Sequence, residues 1–278
     1  MLKQRVITAL ILLALLLPAL FASSAWPFAI LTLVMIGAAG WEWARLNGAA
    51  DSLAVVFGLV LAAACAAALA VGWGSHAPVW AWWLAALVWV PGGAYAMRAG
   101  PAFWPTLPRA LRLVLGWLGL FVGWLALANA KVVGVNFLLS AMCLVWAADI
   151  AAYFGGRAFG RRKLSPAISP GKSWEGVWSG MAGVLALAVL WIFLDRRFEL
   201  GSPSLYSHLA ERMGYAGLAL ALLFLSAMSV VGDLVESLVK RSAGAKDSSQ
   251  LLPGHGGVLD RIDALLPVMP LAMALSWY

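Results

Sequence analysis

Runs of about twenty apolar residues recur along the whole of this chain, each long enough to cross the ~30 Å hydrocarbon core of a bilayer. The windows fall at 5–22, 26–44, 53–73, 79–97, 113–130, 132–154, 174–194, 215–239 and 264–278. Of the 278 residues 63% are apolar and only 11% charged, more oil than a water-soluble fold of this length can hide. The expected fold class is therefore all-α: a polytopic integral membrane protein with about nine transmembrane helices. The ninth window is the weakest, short and interrupted by Pro267 and Pro270.

Basic residues orient these spans, because Lys and Arg accumulate in cytoplasmic loops. With a cytoplasmic N-terminus, all but four of the 19 Lys and Arg face inward, the exceptions being Lys131, Arg196, Arg197 and Arg212. The opening "MLKQR", an apolar run and "ASSAW" also resemble a secretory leader. The run is longer than a leader needs, so the first span is expected to stay. Contact with anionic headgroups accounts for part of the net charge of +7. Cys65 and Cys143 lie within apolar runs, with neither a disulfide pattern nor metal spacing.

Residues 1–130 read as scaffold and lipid-facing helices, whose small residues suit close helix packing and are compatible with a homodimer. Glu42 and Arg45 read as an i,i+3 surface pair. The unusual chemistry begins near residue 146. A catalytic region is expected over 131–278, with cytoplasmic loops at 155–173 and 240–262.

Three constellations stand out. The first is "WAADIAAYFGGRAFGRRKLSPAISPGKSWEG". Asp149 lies in an apolar run, where a carboxylate costs about 2.5–3.5 kcal/mol on insertion scales and marks a functional site by default. Tyr153 follows at i+4 on the same face. Gly155 and Gly156 are expected to loosen the backbone of a basic loop. Pro166 stands where a phosphate-binding P-loop needs glycine, so that motif is rejected. What remains is Gly171, Lys172 and Ser173 opening span seven, a helix N-terminus suited to phosphate.

The second is "VVGDLVESLVKRSAGAKD", which puts Asp233, Glu236 and Lys240 on one helical face. Glu236 and Lys240 can pair at i,i+4, which leaves Asp233 unpaired; two carboxylates so placed are costly unless a cation sits between them. The third is "PGHGGVLDRID". His255 sits among glycines on a loop, as a metal ligand, a base or a donor to phosphate; Asp260 and Asp263 follow at i,i+3. Oxygen ligands without a His or Cys cluster point to Mg²⁺, held by one or two carboxylates together with substrate phosphates.

The run from Ser237 to Asp263 resembles the signature of the phosphatidate cytidylyltransferase, or CDP-diacylglycerol synthase, family. Its matching positions are Ser237, Lys240, Arg241, Lys246, Asp247, His255, Gly256, Gly257, Asp260, Arg261 and Asp263. The upstream "SPGKSWEG" and "GDLVES" segments are similar as well. The resemblance implies a nucleotidyltransferase of phospholipid synthesis in the bacterial inner membrane, with its active site on the cytoplasmic side. Phosphatidic acid would attack the α-phosphorus of CTP, giving CDP-diacylglycerol and pyrophosphate; no nucleic acid is involved. It implies Mg²⁺ on Asp233 and Asp260, with Lys240, Arg241 and His255 completing the catalytic set. Lys172, Ser173, Lys246, Asp247, Gly256, Gly257, Arg261, Asp263, Asp149 and Tyr153 would bind the substrates. A phosphate nucleophile is already ionised, which makes His255 a phosphate contact or loop organiser. A cation-coupled transporter would show two related halves, and none are visible. The D-G-x-x-A-R pattern of CDP-alcohol phosphotransferases is absent.

Overall fold

The computed structural model describes residues 2–198 and 201–276. Trp277 and Tyr278, the end of the expected ninth span, lie outside the described residues. Ten helices follow one another: α1 (Leu2–Phe21), α2 (Trp26–Leu46), α3 (Asp51–Ala70), α4 (Trp80–Ala99), α5 (Arg109–Val133), α6 (Val135–Phe159), α7 (Trp174–Phe198), α8 (Leu205–Ser242), α9 (Leu259–Ile262) and α10 (Leu265–Ser276). A two-stranded antiparallel hairpin, β1 (Lys163–Ser165) and β2 (Ser169–Ser173), joins α6 to α7.

The protein is an all-α polytopic membrane protein. Among the described residues, six helices are long and apolar enough to cross a membrane: α2, α3, α5, α6, α7 and α8. The apolar part of α1, Val6–Phe21, is shorter. Helix α4 has the length, but Trp80, Trp82, Trp83, Trp89 and Pro91 dilute its hydropathy. The apolar windows anticipated the first eight helices; the last differs in kind. Helix α10 has 12 residues, about 18 Å at 1.5 Å per residue, and is buried without a break from Leu266 to Ala274. It packs against α4, α5, α6 and α8, so it is apolar all round because it is the core of the bundle.

Two loop expectations change. Helix α6 continues through Gly155 and Gly156 to Phe159, so these glycines do not loosen a loop. A Cβ on Gly155 would stand 1.9 Å from Ser179 Oγ of α7, and α6 and α7 are the most extensively packed pair. "SPGKS" forms strand β2, and its last residue, Ser173, leads directly into the N-terminus of α7 at Trp174. At the other loop, α8 runs on to Ser242 and keeps Lys240 and Arg241 helical. Its 38 residues exceed a bilayer crossing, and the excess is bent away at Gly214, where φ is 70°.

Close backbone approach holds α8 against the chain entering α10. A Cβ on Gly232 would lie 2.5 Å from the Asp263 carbonyl oxygen and 2.9 Å from the Pro267 ring. Gly232→Ala should therefore cost about 1–3 kcal/mol of stability. Gly92→Ala, with nothing within 4 Å, should not destabilise. Thermal unfolding of the two variants in detergent checks the contrast.

Candidate active site

Helices α6, α7 and α8 and strand β2 enclose a cavity of about 470 Å³. Asp149, Tyr153 and Arg157, at successive i+4 positions of α6, line one wall; Lys172 and Ser173 of β2 and Asp233 of α8 line the other. Val177, Met181 and Val230 add apolar surface. Asp149 stands ten residues before the end of α6. It is within electrostatic range of Lys172, Asp233 and Arg261.

Lys172 Nζ donates to Asp233 Oδ2 at 2.5 Å, and Ser237 Oγ donates to Asp233 Oδ1 at 3.2 Å. Both side chains of the ion pair are about a quarter exposed (27% and 28%), so a substrate can reach them. The hairpin makes this possible by carrying Lys172 back over the cavity. It is held in turn by Glu175 in the first turn of α7, which accepts from the Arg161 and Arg162 backbone N–H groups and from Arg162 Nε. Ser173, expected to bind substrate, is buried, and its Oγ accepts from the Gly176 N–H at 3.2 Å. It lines the cavity as the cap of α7.

A second polar cluster lies beside the first. Among the described residues, Asp233 and Glu236 pair with different lysines. Asp233 takes Lys172, while Glu236, 3% exposed, is ion-paired with Lys240. Lys240 Nζ also donates to Asp260 Oδ1 at 2.5 Å, so one ammonium serves two carboxylates. Asp260 Oδ2 accepts from the N–H groups of Ser248 (2.8 Å) and Gly257 (2.7 Å) and from Ser248 Oγ (2.8 Å). Burial opposes ionisation of Asp260, but these bonds from Lys240, Gly257 and Ser248 outweigh it and hold the carboxyl below its ordinary value. Burial, and then repulsion from Asp233, push the Asp263 carboxyl above the usual range.

The glycines of the signature acquire a reason. Gly256 adopts φ 82°, and a Cβ there would come within 2.7 Å of Asp260 Oδ2. A Cβ on Gly257 would meet Ser248 Oγ at 2.1 Å and Glu42 Oε1 at 2.3 Å. Expected as substrate contacts, the two glycines make room for converging carboxylates. Glu42 is the residue that sequence reasoning missed. It is fully buried; Arg45, its expected partner, lies 3.5 Å from Asp51 instead. The available signal was a carboxylate within an apolar helix.

The remaining expected residues lie at the surface. Lys246, Asp247 and Arg261 are exposed. Arg241 Nη1 donates to the Ala245 carbonyl at 3.2 Å and Nε approaches the Ile168 carbonyl at 3.4 Å, tying the loop to the hairpin. His255 is half-buried, and its Nδ1 has no hydrogen-bond partner among the described residues. Among the described residues, no three His, Cys, Asp or Glu group to hold a metal by themselves. A hard cation here would need substrate oxygens as well, the usual habit of Mg²⁺. Asp233 fits such a role; Asp260 fits it if its protein donors give way.

The family model described as "Cytidylyltransferase family" matches residues 3–278. The chain belongs to that family. A phosphatidate cytidylyltransferase of Pseudomonas aeruginosa is 42% identical over all of this chain and 97% of its own length. One from Haemophilus influenzae is 50% identical over 49% of this chain and 44% of that protein. One from Bacillus subtilis is 41% identical over 51% of this chain and 48% of that protein. Nucleotidyl transfer needs cations placed on phosphates, and Lys172 and Arg157 are cations lining the cavity. The Lys172–Asp233 pair, being part-exposed, contributes no more than about 1 kcal/mol to stability. Lys172→Met should therefore unfold at nearly the wild-type temperature yet lose at least about tenfold in transferase turnover. Retained turnover in a folded variant would remove Lys172 from the reaction.

Proposed function

We propose that this protein is a phosphatidate cytidylyltransferase: it transfers CMP from CTP to phosphatidic acid, releasing pyrophosphate. The supporting observation is the 470 Å³ cavity, lined by a lysine–aspartate pair and by apolar residues of α7 and α8. A lipid phosphate needs such a mixture, a cation for the headgroup and apolar surface leading to the bilayer. CTP needs the other part, a water-facing segment rich in cations.

In this reading Lys172 and Arg157 hold the phosphatidate phosphate within the cavity, and Val177, Met181 and Val230 accept the start of its acyl chains. Lys246, Arg241 and Arg261 meet the triphosphate from the aqueous side, with Arg suited to bidentate phosphate contacts. A phosphatidate oxygen forms the new bond to the α-phosphorus as the bond to the β-phosphate oxygen breaks, and pyrophosphate carries away the charge. No strong base is needed, since the attacking phosphate is already ionised. The protein's work is alignment and charge neutralisation. Asp233 and Asp260 are assigned to Mg²⁺, which when bound supplies positive charge to the phosphate oxygens. The excess of Lys and Arg on one side supports a site on the cytoplasmic face of a bacterial inner membrane. The reading includes a homodimer packed through small-residue helix faces.

Two substitutions separate the assigned roles, assayed by pyrophosphate release from CTP and phosphatidic acid. Asp233→Asn and Asp260→Asn should each lower turnover about 10²-fold or more; wild-type turnover with an unchanged Mg²⁺ response in either would refute the metal assignment. Lys246→Ala should raise the KM for CTP and leave the Mg²⁺ response alone. An unchanged KM would take Lys246 out of the nucleotide site.

A further inference from the structure

We infer that Glu42, delivered from α2, is a positioning residue of the transfer site: it holds the segment from Ser248 to Leu259 in the shape that aims Asp260 and, through it, Lys240. The inference rests on the transfer site proposed above and adds a residue far from it in sequence.

Glu42 is 0% exposed, near the C-terminal end of a largely apolar helix whose one other charged residue, Arg45, is ion-paired with Asp51. A carboxylate in such a place must be compensated. Among the described residues the compensation comes from hydrogen-bond donors of one segment. Oε1 accepts from Ser249 Oγ at 2.5 Å and the Val258 N–H at 2.9 Å. Oε2 accepts from the Leu259 N–H at 2.7 Å and lies 3.1 Å from Ser248 Oγ. These partners are 206 to 217 residues away along the chain.

The two N–H groups open α9, whose own N-cap, Val258, provides no side-chain acceptor. Glu42 supplies it from another helix, where an anion is favoured. The same segment is gripped from its other side by Asp260, which binds the N–H groups of Ser248 and Gly257. Ser248 Oγ touches both carboxylates, 2.8 Å from Asp260 Oδ2 and 3.1 Å from Glu42 Oε2. A hydroxyl has one proton to donate, so the two acids compete for it and the remaining donors set the balance. Releasing Glu42 therefore alters the donors that hold Asp260, and Asp260 shares Lys240 with Glu236. A continuous buried path, Glu42–Ser248–Asp260–Lys240–Glu236, joins α2 to α8.

Glu42 does not line the α6–α7–α8 cavity and reaches the site only through other residues. Its effect is on alignment, where displacement of about 1 Å can cost about 10²-fold in rate. A plain structural anchor would behave differently: its loss would lower the folded fraction and leave the turnover of each folded molecule intact.

The test uses full-length protein in detergent and compares wild type with Glu42→Gln, Ser248→Ala and Ser249→Ala. Glutamine keeps the volume but replaces one acceptor oxygen by a donor facing donors. Three readouts are taken: thermal unfolding, the rate of tryptic cleavage after exposed Lys246, and kcat with KM for both substrates. Glu42→Gln should remain folded and be cut after Lys246 at least about tenfold faster, the effect of losing a hydrogen bond to a buried charge. Its kcat should fall about 10²-fold, with the KM for phosphatidate unchanged. Ser249→Ala should shift cleavage and kcat in the same direction by less. Wild-type kcat per folded molecule in Glu42→Gln overturns the inference. Should Glu42→Gln fail to fold, unchanged cleavage and kcat in both serine variants overturn it instead. Absence of transfer activity in the wild type would count against the proposed function, and the cleavage rates would still decide the role of Glu42.

Discussion

Carboxylates buried at the end of a membrane helix must be matched by cations or donors, and most of this structure's polar architecture follows from that requirement. Helix α8 carries Asp233 and Glu236 into a bundle that is otherwise apolar. Lys172, brought over by the hairpin, answers the first; Lys240 answers the second and is shared with Asp260. Removing one partner of a buried pair leaves an uncompensated charge, at a cost of about 3–5 kcal/mol. Lys240 stands between two such charges, so it binds the end of α8 to the segment that enters α10. The long reach of α8, the glycines beneath Asp260 and Glu42, and the place of α10 at the bundle centre all serve this junction.

The site has two adjoining parts with different exposure. The Lys172–Asp233 pair opens to a cavity that substrates can enter, while the Glu236–Lys240–Asp260 cluster is nearly closed and holds the loop. Arg241, Lys246 and Arg261 are exposed beside it. A lipid phosphate and a nucleotide triphosphate differ in the same way, one tethered to a bilayer and one arriving from solution. A cytidylyltransferase acting on a lipid must bring both to one phosphorus atom.

Much of this was legible in the sequence, for identifiable reasons. Apolar windows locate α1 to α8 because lipid and protein alike require about twenty apolar residues per crossing. The same signal misleads at α10, since hydropathy does not distinguish a helix surrounded by helices from one surrounded by lipid. The signature residues Lys240, Asp260 and Asp233 were identifiable because charge within oil is conspicuous. The Glu236–Lys240 pair follows from its i,i+4 spacing, but the partner of Asp233 was hidden, because Asp233 finds its cation 61 residues back on a hairpin. Glycine is ambiguous in sequence: at 155 and 156 it permits helix contact, and at 256 and 257 it clears space for carboxylates. Glu42 was hidden by a plausible neighbour, Arg45, whereas its real partners are more than 200 residues distant.

Joining the α-phosphate of CTP to a lipid phosphate gives the α- and γ-phosphorus atoms different fates. Separate incubations of purified protein, phosphatidic acid and Mg²⁺ with CTP radiolabelled at the α- or the γ-phosphate test it directly. The α-label should enter the organic phase as CDP-diacylglycerol while the γ-label stays in water as pyrophosphate. γ-Label in the lipid, or α-label left wholly in water, would contradict it.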